Sequence, residues 1–263
     1  LPTVILNSAY WGQCDSIYTT FIILTLLYLY REKYHRAFMF LGIAFAFKMQ
    51  TIFIFPFIIC FYIYKKQFSI FELLITVFTF WISGIGAFVQ GRSLLDPFRI
   101  YANQTGTYQY MHVNFPSFWM FVGNDYEWLK TAAIVMAAGI CGMGLYIIMK
   151  RKLDCSRPEN FVSIASWFIW TCVLFLPAMH ERYAYPLEIL LVILTCINKD
   201  YLKYSSVAIL FSLFTYGNYL FSNGGLDKYI VIIYAGCYLH FTYTILKKNS
   251  KAATVTDKEM QNE

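Results

Sequence analysis

The chain has 263 residues, 59% of them hydrophobic and 14% charged, against roughly 45–50% apolar and about 25% charged residues in an ordinary soluble domain. That balance argues against a soluble globular enzyme and, outside the polar C-terminal stretch, against disorder. The net charge of +6 is read as orientation in a lipid bilayer, with no nucleic-acid partner, because the basic residues fall in short clusters between apolar runs.

Nine apolar runs follow in chain order: Ile17 to Tyr30, Ala37 to Phe47, Thr51 to Tyr64, Leu73 to Val89, Thr131 to Met149, Phe161 to Pro177, Leu187 to Asn198, Ser205 to Phe221 and Tyr229 to Leu246. At about 20 residues per span plus short connections, little room remains for a separate soluble domain. The predicted fold class is therefore all-α: a polytopic transmembrane helix bundle of about nine segments over residues 1–248, with a disordered cytoplasmic tail over residues 249–263.

The second and third runs are short, and one long helix carrying Lys48 and Gln50 in its middle is the competing reading. Charge bias decides between them. With two half-length helices and Leu1 outside, fifteen basic residues fall inside and six (Lys48, Arg92, Arg99, Lys130, Arg182, Lys228) outside, as the positive-inside rule requires. The N-terminus is then outside and the C-terminus inside. Trp11 to Asp15, the Lys48 to Gln50 tip, the aromatic loop from Gln90 to Lys130 and Met179 to Tyr183 all reach the outer face. That loop carries Tyr101, Tyr108, Tyr110, Phe115, Phe118, Trp119 and Trp128, and is expected to pack at the interface or cover a site. Ser222 to Gly225 reads as a tight outer turn.

Each polar cluster also has a plain structural role. Asp15 sits at the start of an apolar helix, where a carboxylate caps backbone N–H groups. Lys48 would snorkel to headgroups, and the Trp11 ring would join an interfacial belt. His180-Glu181-Arg182 follows 19 uncharged residues, Phe161 to Met179, and ionisable groups at such a depth are costly unless paired or facing a water-filled cavity. The seven cysteines show no C-x-x-C or metal-ligand spacing, and no phosphate-binding, dinucleotide, zinc-hydrolase or nucleophile-elbow motif occurs. Neither a metal nor another cofactor is expected. The opening at Leu1 has neither an initiator Met nor a signal-peptide pattern and reads as the start of a piece of a longer membrane protein.

Taken together, Asn7 to Asp15, then Phe47-Lys48-Met49-Gln50 with Pro56, then Leu176 to Tyr183 resemble the GT-C superfamily of integral-membrane glycosyltransferases. The likeness is to bacterial mannosyltransferase-like proteins related to the GPI-anchor mannosyltransferases, and more distantly to the dolichyl-phosphate-glucose-dependent glucosyltransferases. It implies inverting transfer of one sugar from a polyprenyl-phosphate donor to a hydroxyl of a glycan, lipid or protein acceptor, at the extracytoplasmic face of a bacterial plasma membrane. Arg182, His180, Lys48 and Gln50 would then bind the donor phosphate and sugar, a phosphate leaving group calling for cations and a planar multi-donor guanidinium. Glu181, Asp15, Gln13, Trp11 and Tyr183 would position them. The family's catalytic aspartate is expected upstream of Leu1, so this stretch alone is predicted to lack turnover. The alternatives are a secondary transporter or flippase, and a non-catalytic accessory subunit of cell-envelope glycan assembly.

Overall fold

The computed structural model describes residues 1–104, 107–115, 117–221 and 228–260, with side chains as far as residue 248. It is 78% helical and of the all-α class. The strands among the described residues are β1 (His112–Val113) and β2 (Met179–His180), paired in parallel with His112 opposite Met179.

The chain opens with α1 (Pro2–Val4) and a π-helical turn, Ile5–Tyr10, and then α2 (Asp15–Tyr30) and α3 (Tyr34–Phe47) pack together as a pair. Glu32, in the left-handed region at φ 57°, makes the tight turn between them. A 3-10 turn, Met49–Ile54, leads into α4 (Phe55–Lys65), whose second residue, Pro56, needs no backbone N–H donor in the first turn of a helix. The helix break therefore falls at Lys48, where the charge bias placed it.

The fourth apolar run is divided: α5 (Leu73–Ile82) stops at Ser83-Gly84 and α6 (Ile85–Val89) continues. After α7 (Asp96–Gln104), the long loop pairs as β1 and makes a 3-10 turn, Phe118–Phe121, before α8 (Tyr126–Lys150). Its Phe115 and Trp119 are buried as expected of a packed loop, whereas Trp128 is 84% exposed.

Next come α9 (Pro158–Phe175), α10 (Tyr185–Ile197), α11 (Leu202–Phe221) and α12 (Lys228–Met260). The core is built around α9, buried on nearly every side from Asn160 to Leu174, against which α8, α10 and α12 pack. A helix apolar all round belongs in such a position. Trp170 is fully enclosed beside Tyr234, Tyr238 and Phe241. The polar end of the chain, read as a tail, enters α12 as far as Met260; the turn at 222–225 lies outside the described residues.

Two helical stretches, Tyr126–Lys150 and Lys228–Lys248, are long and apolar enough to cross a membrane. Only 22% and 28% of their apolar windows are buried in the protein, so neither is an ordinary core helix. Exposed apolar faces of that size are stable against lipid rather than water.

Polar contacts gather at two poles of the bundle. At one, Lys248 bridges Glu159 (2.9 Å) and Asp200 (3.1 Å), Arg151 reaches the Leu246 carbonyl and Tyr30 the Ser156 carbonyl. The other pole holds Asp15, Lys48 and Arg182.

Gly42 lets α3 and α5 touch backbone to backbone: a Cβ there would lie 2.6 Å from the Thr76 carbonyl oxygen and 2.7 Å from Thr79 Cβ. Gly42→Ala is expected to cost roughly 1–3 kcal/mol, the usual penalty for overpacking a close contact. Gly139→Ala, where the space is open, should be neutral or slightly stabilising; thermal unfolding of the two variants in detergent checks the contrast.

Candidate functional site

The site is assembled on Asp15, the first residue of α2, whose side chain is wholly buried. No side-chain capping hydrogen bond forms at that helix start. Instead Asp15 Oδ1 accepts from Lys48 Nζ, and Oδ2 accepts from Asn7 Nδ2 at 2.8 Å and lies 3.9 Å from Arg182 Nε. Gly12, at φ 70°, makes the turn that lets the Asn7 to Tyr10 segment fold back over α2, and Gln13 N donates to the Asn7 carbonyl at 3.0 Å.

The second half comes from the connection between α9 and α10. Ala178, left-handed at φ 58°, donates its backbone N–H toward the Tyr110 and Met111 carbonyls at 3.1 Å each. Asn124 Oδ1 steadies the same loop by accepting from Met111 N (2.7 Å) and His112 N (3.2 Å). The β1–β2 pairing then brings Val113 opposite His180, and the Tyr108 ring meets the His180 ring edge-on at 4.3 Å. The connection between α7 and α8 thus closes over the cluster.

Glu181 is fully buried; its Oε1 accepts from Arg182 Nη1 at 2.6 Å, and Oε2 lies 3.7 Å from His180 Nδ1. The Arg182 guanidinium sits 5.2 Å from the Trp11 ring and 6.0 Å from that of Tyr183, and Lys48 Nζ 5.5 Å from that of Tyr18. Gln50 lies beside the Tyr183 hydroxyl. Burial works against the charged guanidinium, but Glu181 and Asp15 more than offset it and hold Arg182 above its ordinary pKa. Burial pushes the Tyr183 phenol up to about 12.

The residues singled out in the sequence, Trp11, Asp15, Lys48, Gln50, His180, Glu181, Arg182 and Tyr183, are therefore brought together. Gln13 adds its backbone but no side-chain hydrogen bond among the described residues. Trp11, half-buried, packs on Tyr216 and Tyr219, 5.8 and 4.8 Å away.

Three polar atoms of the cluster, His180 Nε2, Glu181 Oε2 and Arg182 Nε, are buried without a hydrogen-bond partner. Such groups are costly unless something polar meets them. Formal charge within the cluster sums to zero, two carboxylates against two cations. No group of three or more His, Cys, Asp or Glu side chains among the described residues could hold a metal ion.

Sequence reasoning passed over Glu188, and it named Asn7 in the first motif and Tyr108 in the aromatic loop without the contacts that they make. Glu188, on α10, is fully buried, with Thr3 donating to Oε1 and no partner on Oε2. A lone carboxylate inside the apolar run after Tyr185 was the available signal. The partner of Asn7 had no such signal, since its contact with Asp15 depends on the fold-back at Gly12. Comparison with family models, curated proteins and solved structures finds no match for this chain.

Removing Asp15 strands two partly buried cations. Asp15→Ala is expected to destabilise by roughly 3–5 kcal/mol, and Asp15→Ala/Lys48→Met by less than the two single changes added; a double-mutant cycle by thermal unfolding measures the difference. At Ala178 the left-handed backbone costs an L-residue roughly 1–2 kcal/mol. Ala178→Gly should therefore stabilise and Ala178→Val destabilise, read in the same assay.

Proposed function

We propose that this chain carries the donor-binding part of a GT-C-type membrane glycosyltransferase, which moves one sugar from a polyprenyl-phosphate donor to an acceptor hydroxyl. The observation that carries this reading is the meeting of Lys48 with His180 and Arg182, from two segments distant in the chain, around the buried carboxylates of Asp15 and Glu181 at one pole of an apolar helical body. In this reading the bundle is polytopic, with about nine membrane segments, and the cluster lies on the extracytoplasmic side of a bacterial plasma membrane.

The chemistry asks for little more than positioned cations. As the acceptor oxygen bonds to the anomeric carbon, the bond from that carbon to phosphate oxygen breaks and the leaving phosphate gains charge. Arg182 commits Nη1 to Glu181 and keeps other N–H groups for the phosphate oxygens, a geometry a guanidinium suits better than an ammonium. His180 Nε2 is a further contact for the same group. Lys48 is shared with Asp15 and acts as a second, weaker clamp. Both Asp15 oxygens are engaged by Lys48 and Asn7, which favours a positioning role over proton abstraction. The Trp11 and Tyr183 rings beside the guanidinium provide flat apolar faces of the kind sugars stack on.

The test is transfer of labelled sugar from a polyprenyl-phosphate donor by the membrane-embedded full-length protein. Arg182→Ala should lower transfer by about 10²–10³-fold, the usual cost of losing one preorganised charge-stabilising donor. Arg182→Lys should recover little of it, because the planar fork is lost. Undiminished transfer by Arg182→Ala would remove the role assigned here, and substrate flux without chemical transfer would favour a transporter.

A further inference from the structure

A second feature lies beside the charged cluster and is not used by it. A groove of about 660 Å³ opens where α5 breaks into α6 and α7 leans against the break. The closeness follows from Gly84, whose absent Cβ would stand 3.2 Å from the Pro97 ring. Arg92 and Arg99 line the groove together with Asp96. Arg99 and Asp96 are 3.7 Å apart, whereas the Arg92 guanidinium makes no hydrogen bond or ion pair among the described residues. The formal charge at the rim is thus +1.

The rest of the wall is apolar. Phe80 and Phe88 form part of it, and Phe80 packs on Phe98 and Tyr101 at 5.3 and 5.2 Å. Just outside, α5 and α6 present Val77, Phe78, Ile85 and Val89 to the surroundings, Val89 at 82% exposure. Trp81 lies at the same level, its indole donating to the Leu94 carbonyl at 3.0 Å and its ring 5.5 Å from Phe88. An amphipathic indole with one apolar and one hydrogen-bonded edge is typical of the headgroup boundary.

We propose that this groove is a binding site for an anionic membrane phospholipid. Arg92 and Arg99 hold the headgroup phosphate, and Phe80 and Phe88 flank the first part of an acyl chain. Charge selects the occupant. A zwitterionic lipid brings its own cation to a rim that already has a net positive charge, whereas an anionic one neutralises it. The apolar wall selects a lipid over free phosphate, since a phosphate alone would leave the aromatic surface uncovered. The inference does not depend on glycosyl transfer, for none of these side chains touches Asp15, Lys48 or Arg182.

Trp81 provides the readout. The protein is placed in phosphatidylcholine nanodiscs doped with brominated phosphatidylglycerol or brominated phosphatidylcholine, and Trp81 emission is taken as the difference between wild type and Trp81→Phe. Phosphatidylglycerol should reach half-maximal quenching at about tenfold lower mole fraction than phosphatidylcholine, and Arg92→Gln/Arg99→Gln should abolish that preference. Ala87→Phe, which fills the groove while keeping both arginines, should abolish the preference and leave the two lipids quenching alike; it decides the matter if the double variant fails to insert. Equal quenching by the two lipids in wild type, a preference that survives the double variant, or full displacement by millimolar inorganic phosphate at constant ionic strength would each overturn the proposal. Failure here leaves the transfer assay of Arg182→Ala unaffected.

Discussion

A carboxylate with no solvent exposure, set at the start of an apolar helix, cannot remain charged and unpartnered, and the arrangement of the polar pole depends on that constraint. Asp15 draws Lys48 from the break after α3, Arg182 from the connection before α10 and Asn7 from the opening π-helical turn. Each partner is fixed by a local backbone device: the extended residue at Lys48, the left-handed Ala178 shortly before the His180–Tyr183 segment, and the positive φ at Gly12. Ion pairing alone adds little net stability when desolvation is counted. What the pairing does provide is register, because losing one member leaves the others buried without a counter-charge.

The same economy explains how an apolar bundle presents a polar site. Tyr108, Met111 and Val113 close the cluster from the connection between α7 and α8, which is held by Asn124 on one side and by the Trp119 indole, which donates to the Phe175 carbonyl at 2.7 Å, on the other. The Phe175 carbonyl is one of the last in α9 and has no later turn to accept for. A helix end, a loop and a buried charge group are thus satisfied in one place.

The exposed apolar faces of α8 and α12 suit a lipid surrounding, and the groove at the α5–α6 break has an arginine-bearing rim of its own, distinct from the cluster on Asp15. Tyr101 connects the two regions, its hydroxyl donating to the Phe45 carbonyl three residues before Lys48.

Much of this was legible in the chain itself. Composition and apolar runs determined an all-α, lipid-compatible body, and charge distribution placed the helix break at Lys48. The clusters Trp11 to Asp15, Lys48 to Gln50 and His180 to Tyr183 marked the polar pole, because charged groups beside long apolar runs carry a desolvation cost that only a site or a partner can meet. The partners themselves were decided by tertiary structure. Nothing in the sequence near Asn7 tells that its amide reaches Asp15, nor that Glu188 is buried against Thr3, nor that Tyr108 closes on His180, since each contact joins segments whose separation is set by packing. Periodicity and charge act along the chain, whereas the pairing of a buried charge is a property of the space around it.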